Sequence, residues 1–223
     1  LQLQTKTTIP RGLTTKRIFK MKQERRTFTG TVIARSEGEN MPKEIGGIAA
    51  VINSVTDLGY FEEVIERGAF DNALNKEYDI RCLFNHEAEL ILGRTKANTC
   101  NVFVNADGNL EYTWVPDYEN PTHMSVVRSI MRGDITQSSF AFTIKEQRWS
   151  ESTKYGSMGK RTITIIEDLY DVSPVTYPAY ADTEADARSI VALRDQEREI
   201  EEAKRSQASA DVIKLALLRY ENL

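Results

Sequence analysis

The chain has 223 residues and a mass of 25.3 kDa, with 40% hydrophobic and 28% charged residues and a net charge of −4. That length builds one substantial domain, or a domain with a helical appendage, and no apolar run approaches the ~20 residues a membrane-spanning helix needs, so no membrane partner is expected. Two cysteines, Cys82 and Cys100, lie outside any C-x-x-C or Cys/His spacing, and His86 and His123 are the only histidines. A disulfide framework, a multi-histidine metal centre and a cofactor are therefore not expected, and a reduced, cytosolic setting is the default.

In chain order, residues 1–23 are rich in Thr, Lys and Arg and show no apolar periodicity before Met21, so they read as a disordered basic arm or an upstream extension ahead of Met21. Residues 1–26 carry eight Lys/Arg against Glu24 alone, a net +7 that leaves −11 on the body. A basic arm can touch nucleic acid, but a solvated arm is the simpler reading. The acidic body, and aromatics that are not interleaved with Lys/Arg, disfavour a nucleic-acid-binding barrel.

Short apolar and β-branched runs at 27–34, 48–55, 80–84, 90–92, 101–104 and 110–115 predict strands, with Asp107-Gly108 a hairpin turn. Helices are predicted over 61–74, from Val64, Ile65, Ala69 and Leu74, and over 121–132, from Met124, Val127, Ile130 and Met131. Strands follow at 135–144, 162–166 and 169–176, with a loop at 150–160 whose Gly156-Ser157-Met158-Gly159 is not the G-x-S-x-G of a nucleophile elbow. After Ala179 the composition turns to charged helix formers, and Ser209 caps a short amphipathic stretch through Tyr220. The division expected is an arm over 1–23, a mainly-β domain with helices (α+β) over 24–187, and a charged helical tail over 188–223.

Three blocks carry chemistry: Asn85-His86, the Ser138-Ser139-Phe140-Ala141-Phe142 strand entry, and Asp171-Val172-Ser173-Pro174. They supply the base, nucleophile and acid of a serine hydrolase. Because adjacent strand residues face opposite ways, only one of Ser138 and Ser139 can meet a base. His86 sits where a strand ends and a loop begins, whereas His123, beside Pro121, reads as a surface or helix-capping residue.

These blocks, with Arg67-Gly68-Ala69-Phe70, Leu83-Phe84-Asn85-His86, Leu92-Gly93-Arg94-Thr95 and Arg132-Gly133-Asp134-Ile135, resemble the prohead (capsid maturation) serine proteases of tailed bacteriophages over roughly residues 24–190. The resemblance implies an assemblin-like β-barrel surrounded by helices. It assigns Ser139 as nucleophile over its competitor Ser138, His86 as base and Asp171 as orienting acid, with Glu167 and Asp168 in reserve. Glutamate is common at the acid position in that family, and the herpesvirus assembly proteases use histidine there. This chain has no histidine after Ser139.

Arg161 and Gly133 are weak candidates for oxyanion donors, and Arg94 reads equally as a salt bridge or a substrate contact. The implied partners are the major capsid protein and scaffold as substrates, the chain itself by autocleavage, and a homodimer. The implied setting is the procapsid interior in the host cytoplasm, with a phage or prophage gene as the source. The rival reading is an inactive scaffolding or assembly module.

Overall fold

The computed structural model describes residues 23–28, 32–35, 41–59, 61–76, 79–151, 159–177, 198–199 and 202–209. The elements run β1 (Glu24–Phe28), β2 (Val32–Arg35), β3 (Glu44–Ala50), β4 (Thr56–Asp57), β5 (Glu62–Ile65), α1 (Asp71–Asn75), β6 (Arg81–Phe84) and β7 (Glu87–Arg94). After a single 3-10 turn at Thr95–Ala97 come β8 (Cys100–Val104), β9 (Leu110–Trp114), α2 (Pro121–Arg132), β10 (Gln137–Ser150) and β11 (Lys160–Val175).

The long hairpin β10–β11 organises everything else. β11 pairs with β10 along one edge, while its other edge takes β5 in parallel at Lys160–Ile163 and β6 in parallel at Asp171–Val172. With β1 outside β10, β4 outside β5 and β7 outside β6, this makes a seven-stranded sheet. A second sheet runs β2-β3-β9-β8, all antiparallel.

The core lies between the sheets. Phe140, Phe142, Ile163, Ile166 and Val172 from the first sheet, and Ile45, Leu110, Tyr112 and Trp114 from the second, are all fully buried, each burial contributing about 1.5–3 kcal/mol. Phe140 stacks on Phe142 with ring centroids 4.7 Å apart and meets Phe70 edge-on at 5.7 Å. The sheets approach closely at Gly47, where a Cβ would lie 2.7 Å from Ser138 Oγ and 3.0 Å from the Tyr112 hydroxyl.

Four charges are buried at the β5 end of β11. Arg26 donates from Nε to Glu63 (2.5 Å) and from Nη2 to both Glu24 (2.5 Å) and Glu63 (2.9 Å). Arg161 donates through Nη1 and Nη2 to Glu24 (both 2.8 Å), through Nη1 to Glu63 (3.2 Å) and through Nε to Gln147 (2.6 Å). Burial raises the Glu24 carboxyl, but the Arg161 hydrogen bond and the Arg161 and Arg26 charges together hold it down at about 2. Two arginines facing two glutamates leave little net charge, the condition on which buried ions are tolerated. The quartet ties β1, an edge strand, to β5 and β11.

Several expectations change. The fold is mixed, mostly strand with few helices, as the pattern of short runs indicated, but the described strands form two open sheets and no closed barrel. The predicted helix at 61–74 is strand β5 followed by a turn, with helix only at Asp71–Asn75. Its Glu-Glu-Val-Ile-Glu composition suits a helix, but Val64 and Ile65 gain ladder partners from β11, and tertiary pairing overrides propensity.

The run at 27–34 breaks into β1 and β2, which join different sheets, and the strand expected at 48–55 lies at Glu44–Ala50. The two strands expected at 162–166 and 169–176 are one, kept continuous by bulges against β10. Helix α2 appears as expected, with Asn120 capping Thr122 N and Gly133 ending it at φ 83°, the left-handed geometry glycine favours. Of the predicted tail, residues 198–199 and 202–209 are helical. The arm over 1–22 and the stretch over 210–223 lie outside the described residues.

Candidate active site

Strand alternation separates the two serines. Ser139 pairs across β10–β11 with Ser173, and Ala141 with Asp171, so these four side chains share one face of the sheet. Ser138 faces the opposite side with Phe140, where its Oγ lies 2.9 Å from the Tyr112 hydroxyl against Gly47. Burial keeps the Tyr112 hydroxyl protonated, its titration pushed well up. The alternative Ser138 thus points into the core, and Ser139 points to the face where His86 arrives.

His86 comes from the tip of the β6–β7 hairpin. Phe84 pairs with Glu87, leaving Asn85 and His86 as a two-residue turn with φ of 54° and 60°. Positive φ at both central positions is the geometry of a type I′ turn, for which Asn-Gly is the favoured sequence. Asn suits its place, whereas His stands where Gly is preferred, at a cost of about 1–2 kcal/mol. That strain aims the imidazole across β11. The resulting row has His86 Nε2 2.7 Å from Ser139 Oγ and His86 Nδ1 2.5 Å from Asp171 Oδ1.

Two further groups complete the network. Ser173 donates to Asp171 Oδ1 at 2.9 Å and lies 3.4 Å from His86 Nδ1, steadying the carboxylate from the next position on its own face. The carbonyl of Arg26 on β1 lies 2.9 Å from Ser139 Oγ. The Ser139 hydroxyl has one proton and two acceptors in reach, so donation to Arg26 O competes with donation to His86. Ser139 and Ser173 are fully buried, and the His86 and Asp171 side chains are 5% and 6% exposed.

The other sequence candidates lie elsewhere. Glu167 pairs with Lys76 (2.6 Å) and Lys145 (3.7 Å), and Asp168 is near Thr143 (3.5 Å) and Lys76 (3.9 Å), so of the three carboxylates only Asp171 meets the imidazole. His123 is a buried structural residue and not the surface group expected. Its Nδ1 accepts from Asp117 N–H and its Nε2 donates to Ile91 O.

Arg161 commits its Nη1 and Nη2 to the quartet and its Nε to Gln147, and the Gly133 amide caps α2 by donating to Ile130 O and Ser129 O. Neither expectation of an oxyanion donor has support in this geometry. Arg94 forms a two-pronged salt bridge with Asp79 at 2.7 and 2.6 Å, which holds the Asp79 carboxyl near 2. Among the described residues no three His, Cys, Asp or Glu side chains cluster as metal ligands would.

The network residues that sequence reasoning passed over are Asn85, Ser173 and Arg26. The first two sit inside the quoted blocks. Arg26 acts through its carbonyl, which no side-chain pattern can flag.

A serine hydroxyl, an imidazole and a carboxylate in one hydrogen-bonded row is the arrangement nucleophilic hydrolases use. The chain belongs to the caudovirus prohead serine protease family, which it matches over residues 31–197, three-quarters of its length. Among solved structures it is similar to the bacteriophage T4 capsid assembly protease, gp21, at 11% identity and a TM-score of 0.43, over 71% of this chain and 99% of that one. No curated protein matches the chain.

Proposed function

We propose that this protein is the serine endopeptidase of a tailed-phage procapsid, working within the assembling shell in the host cytoplasm. It cuts scaffold, or the scaffold-like segment of the major capsid protein, and itself. The observation that carries this reading is the 2.7 Å approach of His86 Nε2 to Ser139 Oγ with Asp171 on the far ring nitrogen. Membership of the prohead protease family supports the substrate class. An assembly module without activity would have no need of a strained histidine turned toward a serine.

In this mechanism Asp171 accepts a hydrogen bond from His86 Nδ1–H, holding the proton on Nδ1 and leaving Nε2 as the bare, basic nitrogen. Ser139 Oγ bonds to the scissile carbonyl carbon while its proton passes to His86 Nε2. The tetrahedral adduct expels the amine, which takes the proton from His86, and an acyl-enzyme remains. A water molecule then repeats the sequence, losing a proton to His86, and Ser139 recovers its hydroxyl as the carboxylate product leaves. On this reading the catalytic domain spans residues 24–187, and the charged tail over 188–223 docks the enzyme in the scaffold or is removed by its own cut. Release of the Ser139 hydroxyl from Arg26 O, aided by assembly or by pairing of two copies, would time the activity.

The test is co-expression with the matching major capsid protein, read by intact mass. Wild type and Ser138→Ala are expected to cleave it and Ser139→Ala to leave it whole. Assembled shells left uncut by wild type would favour the assembly module.

A further inference from the structure

The Asn85–His86 turn is held by more than its own backbone. The Asn85 Oδ1 accepts from Thr176 N–H at 2.8 Å, its Nδ2 donates to Thr176 Oγ1 at 3.2 Å, and its N–H donates to Pro174 O at 3.1 Å. Thr176 follows directly on β11, the strand that carries Asp171 and Ser173 and pairs with the Ser139 strand. The imidazole is therefore fixed at both ends by one strand, at its ring through Asp171 and at its backbone through the neighbour Asn85. Little else among the described residues fastens this tip, since Glu87, Ala88 and Glu89 are exposed and, of the described strands, β7 pairs with β6 alone.

We propose that Asn85 is a positioning residue of this site: its side-chain amide clamps the left-handed turn to the end of β11 and so sets His86 against Ser139. The inference rests on the reading of Ser139 as nucleophile and adds a residue that touches none of the reacting atoms. Glycine at 85 would keep the positive φ that asparagine tolerates, while removing both amide contacts. Turn geometry and clamp can thus be separated. The N–H to Pro174 O bond survives in every variant.

The experiment uses the full chain and a fluorophosphonate probe, which reports an activated serine without any knowledge of the natural substrate. The rate of phosphonylation is followed by intact mass, with Ser139→Ala as the blank. Asn85→Gly is expected to unfold at a denaturant midpoint close to wild type yet react roughly 10- to 100-fold more slowly, as small misplacements of a catalytic group do. Its downfield imidazole Nδ1–H proton resonance should broaden.

Asn85→Asp keeps an acceptor for Thr176 N–H and should recover most of the rate, and Thr176→Val should lose severalfold. Wild-type rates in Asn85→Gly and Thr176→Val would overturn the clamp while leaving the nucleophile reading intact. If Asn85→Gly does not fold, the Thr176→Val rate decides. A wild type that reacts no faster than Ser139→Ala would remove both readings together.

Discussion

The two ends of β11 carry buried polar networks of opposite design. At the β5 end, Arg26 with Glu63 and Arg161 with Glu24 form two-pronged pairs, cross-linked by single bonds from Arg26 to Glu24 and from Arg161 to Glu63, all at 2.5–3.2 Å and on side chains no more than 11% exposed. At the β6 end, Ser139, His86, Asp171 and Ser173 share a single hydrogen-bonded row whose terminal hydroxyl has two competing acceptors, and whose imidazole sits on a strained turn. One strand thus combines a closed set of charges, which holds the fold, with an open set of neutral and ionic groups, which can pass a proton along. Rigidity at one end permits strain at the other.

Removing the hydroxyl at the open end should have the largest effect. Ser139→Ala is expected to lower turnover by about 10⁴-fold or more, the scale on which triad nucleophiles act, with little change in unfolding free energy. Next is the closed end, where Glu63→Gln leaves Arg26 and Arg161 short of an anion in a buried place. It should cost about 3–5 kcal/mol in urea unfolding, while the enzyme that remains folded still reacts with the probe. If Glu63→Gln instead proved neutral in stability, the contrast between the two ends would fail.

Ser138→Ala leaves Tyr112 without that partner behind the sheet. A loss of about 1–3 kcal/mol with the labelling rate retained is expected. Acid provides a milder probe of the closed end. Because the folded-state Glu24 carboxyl lies near 2, below its ordinary 4.5, its contribution is fully present above pH 4.5. It should fade as pH falls from 4.5 through 2, a drift in unfolding free energy that Glu24→Gln should flatten. Smallest of all should be Arg94→Ala, since its pair with Asp79 is solvent-exposed and such pairs contribute about 0–1 kcal/mol.

Much of the open end was readable from the chain. His86, Ser139 and Asp171 lie in short blocks in which apolar neighbours mark strands, and the resemblance supplied their roles. What the residues alone left undecided, Ser138 against Ser139, depends on which face of β10 meets the second sheet. That is a matter of register with Gly47 and Tyr112 far away in sequence. The turn itself was less legible, because Asn-His is not the usual composition of a type I′ hairpin and its strain is visible only as dihedral angles.

The closed end was not legible at all. Apart from Glu24 and Arg26, two positions apart, its partners are separated by 37, 98 and 137 positions, and nothing in the local pattern around each charge marks it for this pairing. The same blindness turned β5 into a predicted helix, since the glutamates that seemed to face water include Glu63, which is 3% exposed.

The outermost strand, β1, belongs to both networks. It lends Glu24 and Arg26 to the charge set and the Arg26 carbonyl to the Ser139 hydroxyl. If the chain cuts itself, as proposed above, the address of the cut matters more than the number of cuts. Trimming ahead of Glu24 would spare every contact just described. A break after Phe28 would leave β1 a detachable peptide, whose departure would strand Glu63 beside Arg161 and free the Ser139 hydroxyl at once. Such a nick would act as a fuse, opening the site while starting the countdown to its own unfolding.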